Sequence, residues 1–285
     1  MTGSGYASGP VTKAPAWHGL VAWDMLFNGM TTGLFMVAAI SELTVPDVFT
    51  SLAKIAYPVA LILLLIDLLC LVLDLGDPLR FHHMLRVFKP GSPMSLGTWC
   101  LTTYSLPLTV AAAISLLPGG WMTLEPVRRL VVVIGLLPAL GSAVYKGVLL
   151  STNAQPGWKD ARWLGGYLTN SALMLGCAEM LVIAVLMKHA SAAAILLPAL
   201  GLLLVLNLVP LCLLGVNLRP TLSNIYTRWE LWSVGALSLG GGVLLPLVLL
   251  CVVGRPLSML GAVMCILLGS LVIRFVIIKL PHASA

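Results

Sequence analysis

Charge is the scarcest commodity in this chain. Only 9% of its 285 residues are Asp, Glu, Lys or Arg, against roughly 25% in a soluble domain, which excludes an ordinary water-facing surface. Histidine is also sparse. The five residues His18, His82, His83, His189 and His282 all fall at the edges of apolar runs, in loops or in the tail, and that argues against axial haem ligands inside helices. The six cysteines (Cys70, Cys100, Cys177, Cys212, Cys251, Cys265) lie within apolar runs and none forms a C-x-x-C pair. Neither a disulfide scaffold nor a cysteine-ligated cluster is indicated, and small polarizable packing residues are the simplest account. There is no Walker loop, G-x-G-x-x-G or H-E-x-x-H, and nothing points to nucleic acid.

What the chain has is apolar length: 59% of its residues are hydrophobic and its mean hydropathy is +1.03. About 20 apolar residues cross roughly 30 Å of hydrocarbon, and eight runs qualify: 20–40, 55–75, 96–116, 127–149, 164–187, 192–215, 231–253 and 257–278. Unpaired backbone is not tolerated in lipid, so each run is expected to be helical; the runs are too long and too unalternating for barrel strands. The expected fold is an all-α integral membrane protein of eight transmembrane helices in two four-helix bundles, with a tail at 1–18, a first bundle at 19–150, a connecting loop at 151–162 and a second bundle at 163–285. The first run has no small-residue cleavage pattern and reads as a retained helix. A short echo, Leu75-Gly76 then Leu79-Arg80 against Leu214-Gly215 then Leu218-Arg219, suggests a duplicated, parallel design.

With eight spans, both termini and the loops after the second, fourth and sixth helices share one side, here side A; the other is side B. Lys13, Arg80, Arg86, Lys89, Lys159, Arg162, Arg219 and Arg228 fall on side A, with Lys146, Arg274 and Lys279 near that end of their helices. Side B has Lys54, Arg128, Arg129, Lys188 and Arg255. The positive-inside rule would put side A in the cytoplasm, while a basic face can equally be a docking face for an extrinsic subunit.

A carboxylate at mid-membrane costs roughly 2.5–3.5 kcal/mol on insertion scales and therefore reads as functional by default. Asp67 and Asp74 are seven residues apart on the second helix, nearly two turns, so they share a face and can pass protons along it. The alternative is a structural pin, each held by an arginine or by backbone donors. Glu179, deep in the fifth helix, is a further stepping stone or a merely hydrogen-bonded neutral acid. In the first helix Asp24 and Asn28 face the same way just inside side A, beside Trp17 and Trp23, as a polar aromatic headgroup would require; an interhelical clamp is the competing reading. Tyr145 lies near the side A end of the fourth helix with Lys146 beside it, placed to snorkel outward along its stem.

The stretch "LDLGDPLRFHHMLRVFKPGSPMSLGTW", from Leu73 to Trp99, resembles the signature loop of the NrfD, or polysulfide reductase membrane-subunit, family. There a helix ends in L-D-L-G-x-P-x-R-F and the next begins S-P-M-S-x-G-x-W. "YKGVLLSTNAQPGW" is similar to the family's Y-x-G-x-L-L-S with a downstream P-x-W, and "WDMLFNGMTTG" to its small-residue first helix. Lys146 and Asp24 depart from the pattern, standing where the family often has a small hydroxyl residue and a glycine or glutamate.

The resemblance implies a haem-free membrane anchor of an oxidoreductase in the cell inner membrane. Its quinone, menaquinone or ubiquinone, would lie among the first four helices, near the face where a four-cluster, ferredoxin-like iron-sulfur subunit docks; a molybdopterin or multihaem catalytic subunit would complete the complex. Carried onto this chain, the quinone site comprises His18, Asp24, Asn28 and Tyr145, with the loop from Arg80 to His83 as a lid. Proton transfer falls to Asp67, Asp74 and Glu179, and partner docking to Arg86, Lys89, Lys146 and Lys159. Most relatives dock their partner on the periplasmic side, so the resemblance and the charge count give opposite orientations. The rival class is a secondary transporter or ion-translocating module, suggested by the echo, the Pro- and Gly-interrupted helices and the buried acids.

Overall fold

The computed structural model describes residues 17, 19–75, 77–155, 157–253 and 255–283. Eight helices long and apolar enough to cross a membrane follow one another: α1 (Gly19–Thr44), α2 (Pro46–Leu73), α3 (Pro93–Leu116), α4 (Glu125–Ser151), α5 (Leu164–Leu186), α6 (Ala190–Ile225), α7 (Arg228–Cys251) and α8 (Pro256–Ala283). Among the described residues there are no strands. The chain is an all-α integral membrane protein with eight spans, as its apolar runs predict.

Several boundaries differ from the hydropathy reading. Proline sets the start of α2, α3 and α4, at or next to the first helical residue, where its missing N–H is no loss. Ser92 caps α3 by accepting from the Ser95 amide. The largest difference is α6, expected to stop at Gly215 but running 36 residues to Ile225 through Pro198, Pro210 and Pro220. At 1.5 Å per residue it is about 54 Å long, well beyond the hydrocarbon thickness, and hydropathy does not mark the overhang. The Leu214 to Arg219 echo accordingly sits in the middle of a continuous helix, whereas Leu75 lies past the end of α2; the sequence match has no local structural counterpart. In α7, π-helical turns at Ala236–Leu244 and Leu249–Val253 flank Pro246.

α1 is the hub. It packs on α2, α4, α5 and α8, and its small residues make that possible. Gly33 meets Ala172 and Gly176 of α5 so closely that a Cβ on either glycine would overlap the other helix's backbone. A polar clamp ties three helices at this level: the Thr31 hydroxyl donates to the Ala60 carbonyl at 2.7 Å, and the Tyr104 hydroxyl donates to the Thr31 carbonyl at 2.9 Å. Toward side B the fully buried guanidinium of Arg128 on α4 pairs with Glu42 of α1, Nε to Oε1 at 2.9 Å, and the Tyr57 hydroxyl of α2 donates to Glu42 Oε2 at 2.6 Å. Near side A the Trp158 indole donates to the Ile277 carbonyl at 2.8 Å and stacks on Trp17.

Candidate functional site

At the side A end of α1–α4 a cleft opens, with about 740 Å³ of atom-free space including its mouth. Its walls are largely apolar: Val21 and Met25 of α1, Leu71 of α2, Met94 and Thr98 of α3, Leu149 and Leu150 of α4, and Met84 from the 3₁₀ helix Pro78–Leu85. Four polar residues converge on it, Asp24, Asp74, Tyr145 and Lys146. A largely apolar cavity with a few convergent polar groups is the usual form of a small-molecule site.

Behind the cleft lies a buried ion cluster. Lys146 Nζ is 2.8 Å from Asp24 Oδ1, 3.2 Å from Asp67 Oδ1 and 3.2 Å from the Asp24 carbonyl oxygen. Its approach to Asp24 Oδ1 is ionic, off the direction of a hydrogen bond, since that oxygen accepts none. On the far side of Asp67, the Asn28 amide nitrogen donates to Oδ2 at 3.2 Å and to Ser142 Oγ at 3.1 Å. The helical repeat explains the convergence: Asp24 and Asn28 on α1, and Ser142 and Lys146 on α4, are each four residues apart, so each helix turns two polar groups toward Asp67.

The cluster holds two carboxylates and one ammonium. Breaking a buried pair by removing one partner costs about 3–5 kcal/mol, which explains why Lys146 turns inward. It does not snorkel and is unavailable to a docking partner: only 5% of it is exposed. Next to Lys146 on α4, the Tyr145 ring rests on Gly97 of α3, where any Cβ would strike it. Tyr145 lines the cleft beside Lys146, whose ammonium lies 5.7 Å from the centre of its ring.

The structure therefore brings together Asp24, Asp74 and Tyr145 at the cleft, with Asn28 and Asp67 directly behind. His18 lies outside the described residues, and the Arg80 side chain is likewise not described. His83 is exposed on the 3₁₀ helix, within 3.1 Å of Arg86 and against His82; the loop's contribution to the cleft wall is Met84. Arg86, Lys89 and Lys159 are exposed on side A. Glu179 is away from the cleft, its two carboxyl oxygens inaccessible and without a hydrogen-bond partner among the described residues, within electrostatic reach of Tyr104. Sequence reasoning missed the role of Lys146, the Ser142 contact and the Glu42–Arg128–Tyr57 network. The i, i+4 spacing of Ser142 and Lys146 was the available signal for the first two.

Among the described residues no group of three or more His, Cys, Asp or Glu is placed to hold a metal.

Eight apolar helices around an intramembrane ion cluster, with a cleft opening onto it from one end, define a multi-pass membrane protein with a built polar site inside the bilayer. The chain matches the polysulfide reductase family of NrfD type over residues 5–284 and belongs to it. Membership makes it the membrane subunit of an oxidoreductase complex. No curated protein matches the chain.

Proposed function

We propose that the cleft binds a membrane quinone, and that this chain is the quinone-reactive anchor through which electrons pass between the quinone pool and an extrinsic iron-sulfur subunit. One observation supports the reading above others: an apolar cleft with Tyr145 on its wall ends on a buried cluster in which Lys146 meets Asp24 and Asp67. A quinone is an apolar ring with two carbonyl oxygens that need hydrogen-bond donors, and the fit is direct. Tyr145 offers a phenolic donor on the wall, and the apolar side chains of Met25, Met94 and Leu150 exclude water from the ring.

Bound there, a quinone supplies two-electron chemistry coupled to two protons. The chain's own groups serve the protons. Asp24, at the cleft, accepts or delivers one, and Lys146 compensates whichever carboxylate is left charged. Asp67, bridged to Asp24 through that ammonium and held by Asn28, is the next station inward. Asp74, at the C-cap of α2 on the cleft wall, gives a second route toward side A. Exposed Arg86, Lys89 and Lys159 favour side A as the docking face. The setting in which such complexes operate is the cell inner membrane.

A transporter would call for its charged site near the midplane, between repeats. The cleft that meets charged groups here opens at the end of α1–α4 instead, which favours the anchor.

The experiment is to isolate the complex, extract and identify its quinone, and assay quinol-linked turnover. Tyr145→Phe removes one oxygen and no packing. Turnover should fall while the complex stays assembled; a complex that contains no quinone, or whose turnover survives Tyr145→Phe unchanged, refutes the site.

A further inference from the structure

A second, wholly different groove joins the cleft. It runs between α2 and α3 and is lined by Leu68, Val72, Leu85, Leu101, Thr102 and Ser105, with about 660 Å³ of atom-free space. Leu71, Leu75, Met84 and Thr98 line both the groove and the cleft, so the two spaces adjoin along a shared wall. The groove has no charged lining residue. Its three hydroxyls are all turned back on α3 itself: Thr98 donates to the Met94 carbonyl at 2.9 Å, Thr102 to Thr98 at 2.8 Å and Ser105 to Thr102 at 2.8 Å. No donor is left for a polar occupant. Leu69 and Leu73 on the same stretch of α2, and Leu106 on α3, are exposed where lipid surrounds the bundle, so the groove opens sideways to the hydrocarbon.

We infer that the α2–α3 groove is the portal through which the polyprenyl tail of the ligand leaves the cleft for the bilayer, with Met84 and Leu85 of the 3₁₀ helix closing it on the side A end. The inference rests on the quinone reading of the cleft and adds to it the route: the tailed quinone is admitted laterally from the membrane, between α2 and α3. Charge separation along the cavity supports this. Of the polar groups of the cleft, Asp24, Lys146 and Tyr145 lie on α1 and α4 and Asp74 at the C-cap of α2, while the groove between α2 and α3 adds only apolar side chains and self-bonded hydroxyls, so the joined space is amphipathic in the same sense as the ligand. A tail of this kind gains affinity in proportion to the apolar area it covers, and the groove supplies that area beyond the headgroup.

The test uses the assembled complex and two quinols sharing one headgroup, one with a long prenyl tail and one without a tail. Val72→Trp and Thr102→Trp fill the groove without touching the cleft; Leu69→Trp, on the lipid face beside it, is the control. The groove variants should raise KM for the tailed quinol by about tenfold and leave KM for the tailless one unchanged, while Leu69→Trp changes neither. In the unaltered complex, a quinone bearing a photoreactive group on its tail should label Leu68, Val72, Thr102 or Ser105. Equal effects on both quinols, or labelling elsewhere, overturns the portal while leaving the headgroup site standing. If a photoreactive phospholipid labels the groove and excess tailed quinone does not compete, the groove is a lipid site and the portal is wrong. If the unaltered complex shows saturable turnover with neither quinol, the quinone reading falls and takes the portal with it.

Discussion

Lys146 Nζ on α4 lies 2.8 Å from Asp24 Oδ1 on α1. The sequence marks both positions as departures from the family pattern it resembles, and the structure places them against each other. A lysine introduced alone at this depth would be a buried charge without a counter-ion, and an aspartate alone likewise. Together, with Asp67 as third member, they form one unit in which a single ammonium faces two carboxyl groups, so neither residue is buried without a partner. The unit also alters the site's electrostatics: a neutral hydroxyl at position 146 would leave Asp67 without a cation.

Lys146→Met should therefore be a variant of assembly more than of chemistry. It retains the stem's volume and leaves Asp24 and Asp67 without their cation; removing one partner of a buried pair costs about 3–5 kcal/mol. The variant should be recovered from membranes in greatly reduced amount, or with a sharply lowered melting temperature in detergent. Adding Asp24→Asn to it removes one of the stranded carboxylates and should restore part of the loss. Wild-type yield and melting in the single variant would show that the ammonium does not hold the cluster.

Asp67→Asn separates chemistry from stability. The amide keeps the shape: its oxygen still accepts from Lys146, its nitrogen donates to Asn28 once that amide turns its oxygen inward, and Asp24 still balances the ammonium one to one. The complex should assemble normally, while quinol-linked turnover slows and its solvent deuterium isotope effect rises, because the proton has lost its second station. Unaltered turnover and isotope effect would remove Asp67 from the path.

Much of this was legible in the sequence, and what was not has identifiable causes. The eight spans follow from hydropathy alone, and Asp24, Asn28, Asp67 and Tyr145 announced themselves as polar residues in apolar runs. Lys146 did not, because its position near a helix end admits two outcomes, snorkelling to water or turning inward. The choice depends on whether carboxylates from α1 and α2 happen to face it. Glu42 and Arg128 were hidden for a similar reason. Each sits near the end of its own apolar run, where a charge normally meets water, and their partnership spans 86 positions of sequence. The true end of α6 was invisible because proline and glycine, read as stops, are accommodated within a membrane helix.

The Glu42–Arg128 pair makes a prediction of its own. Arg128→Met leaves Glu42 buried with only the Tyr57 hydroxyl, and should destabilise the protein by roughly 3–5 kcal/mol, read as loss of folded protein in a detergent melt. Glu42→Gln combined with Arg128→Met leaves no buried charge and should recover most of that loss. Since the pair lies on side B, far from the cleft, turnover per folded complex in the double variant should match the wild type. A double variant as unstable as the single one would mean that the pair is needed for more than mutual neutralisation.

Glu179 offers the sharpest separation of structure from function. Its carboxyl oxygens have no hydrogen-bond partner and no access to water, so the amide of Glu179→Gln gives up no interaction. A neutral acid and an amide are alike in size and equally without a partner there, so stability should change by no more than about 1 kcal/mol. A buried acid with no structural partner is retained at a cost in transfer energy, and Tyr104 is within electrostatic reach of both Asp67 and Glu179. Proton movement across the membrane during turnover, followed with a pH dye in vesicles reconstituted with the complex, should then fall in Glu179→Gln while electron transfer to the partner continues. If proton and electron yields both match the wild type, the line of acids ends at Asp67, and proton exchange is confined to side A.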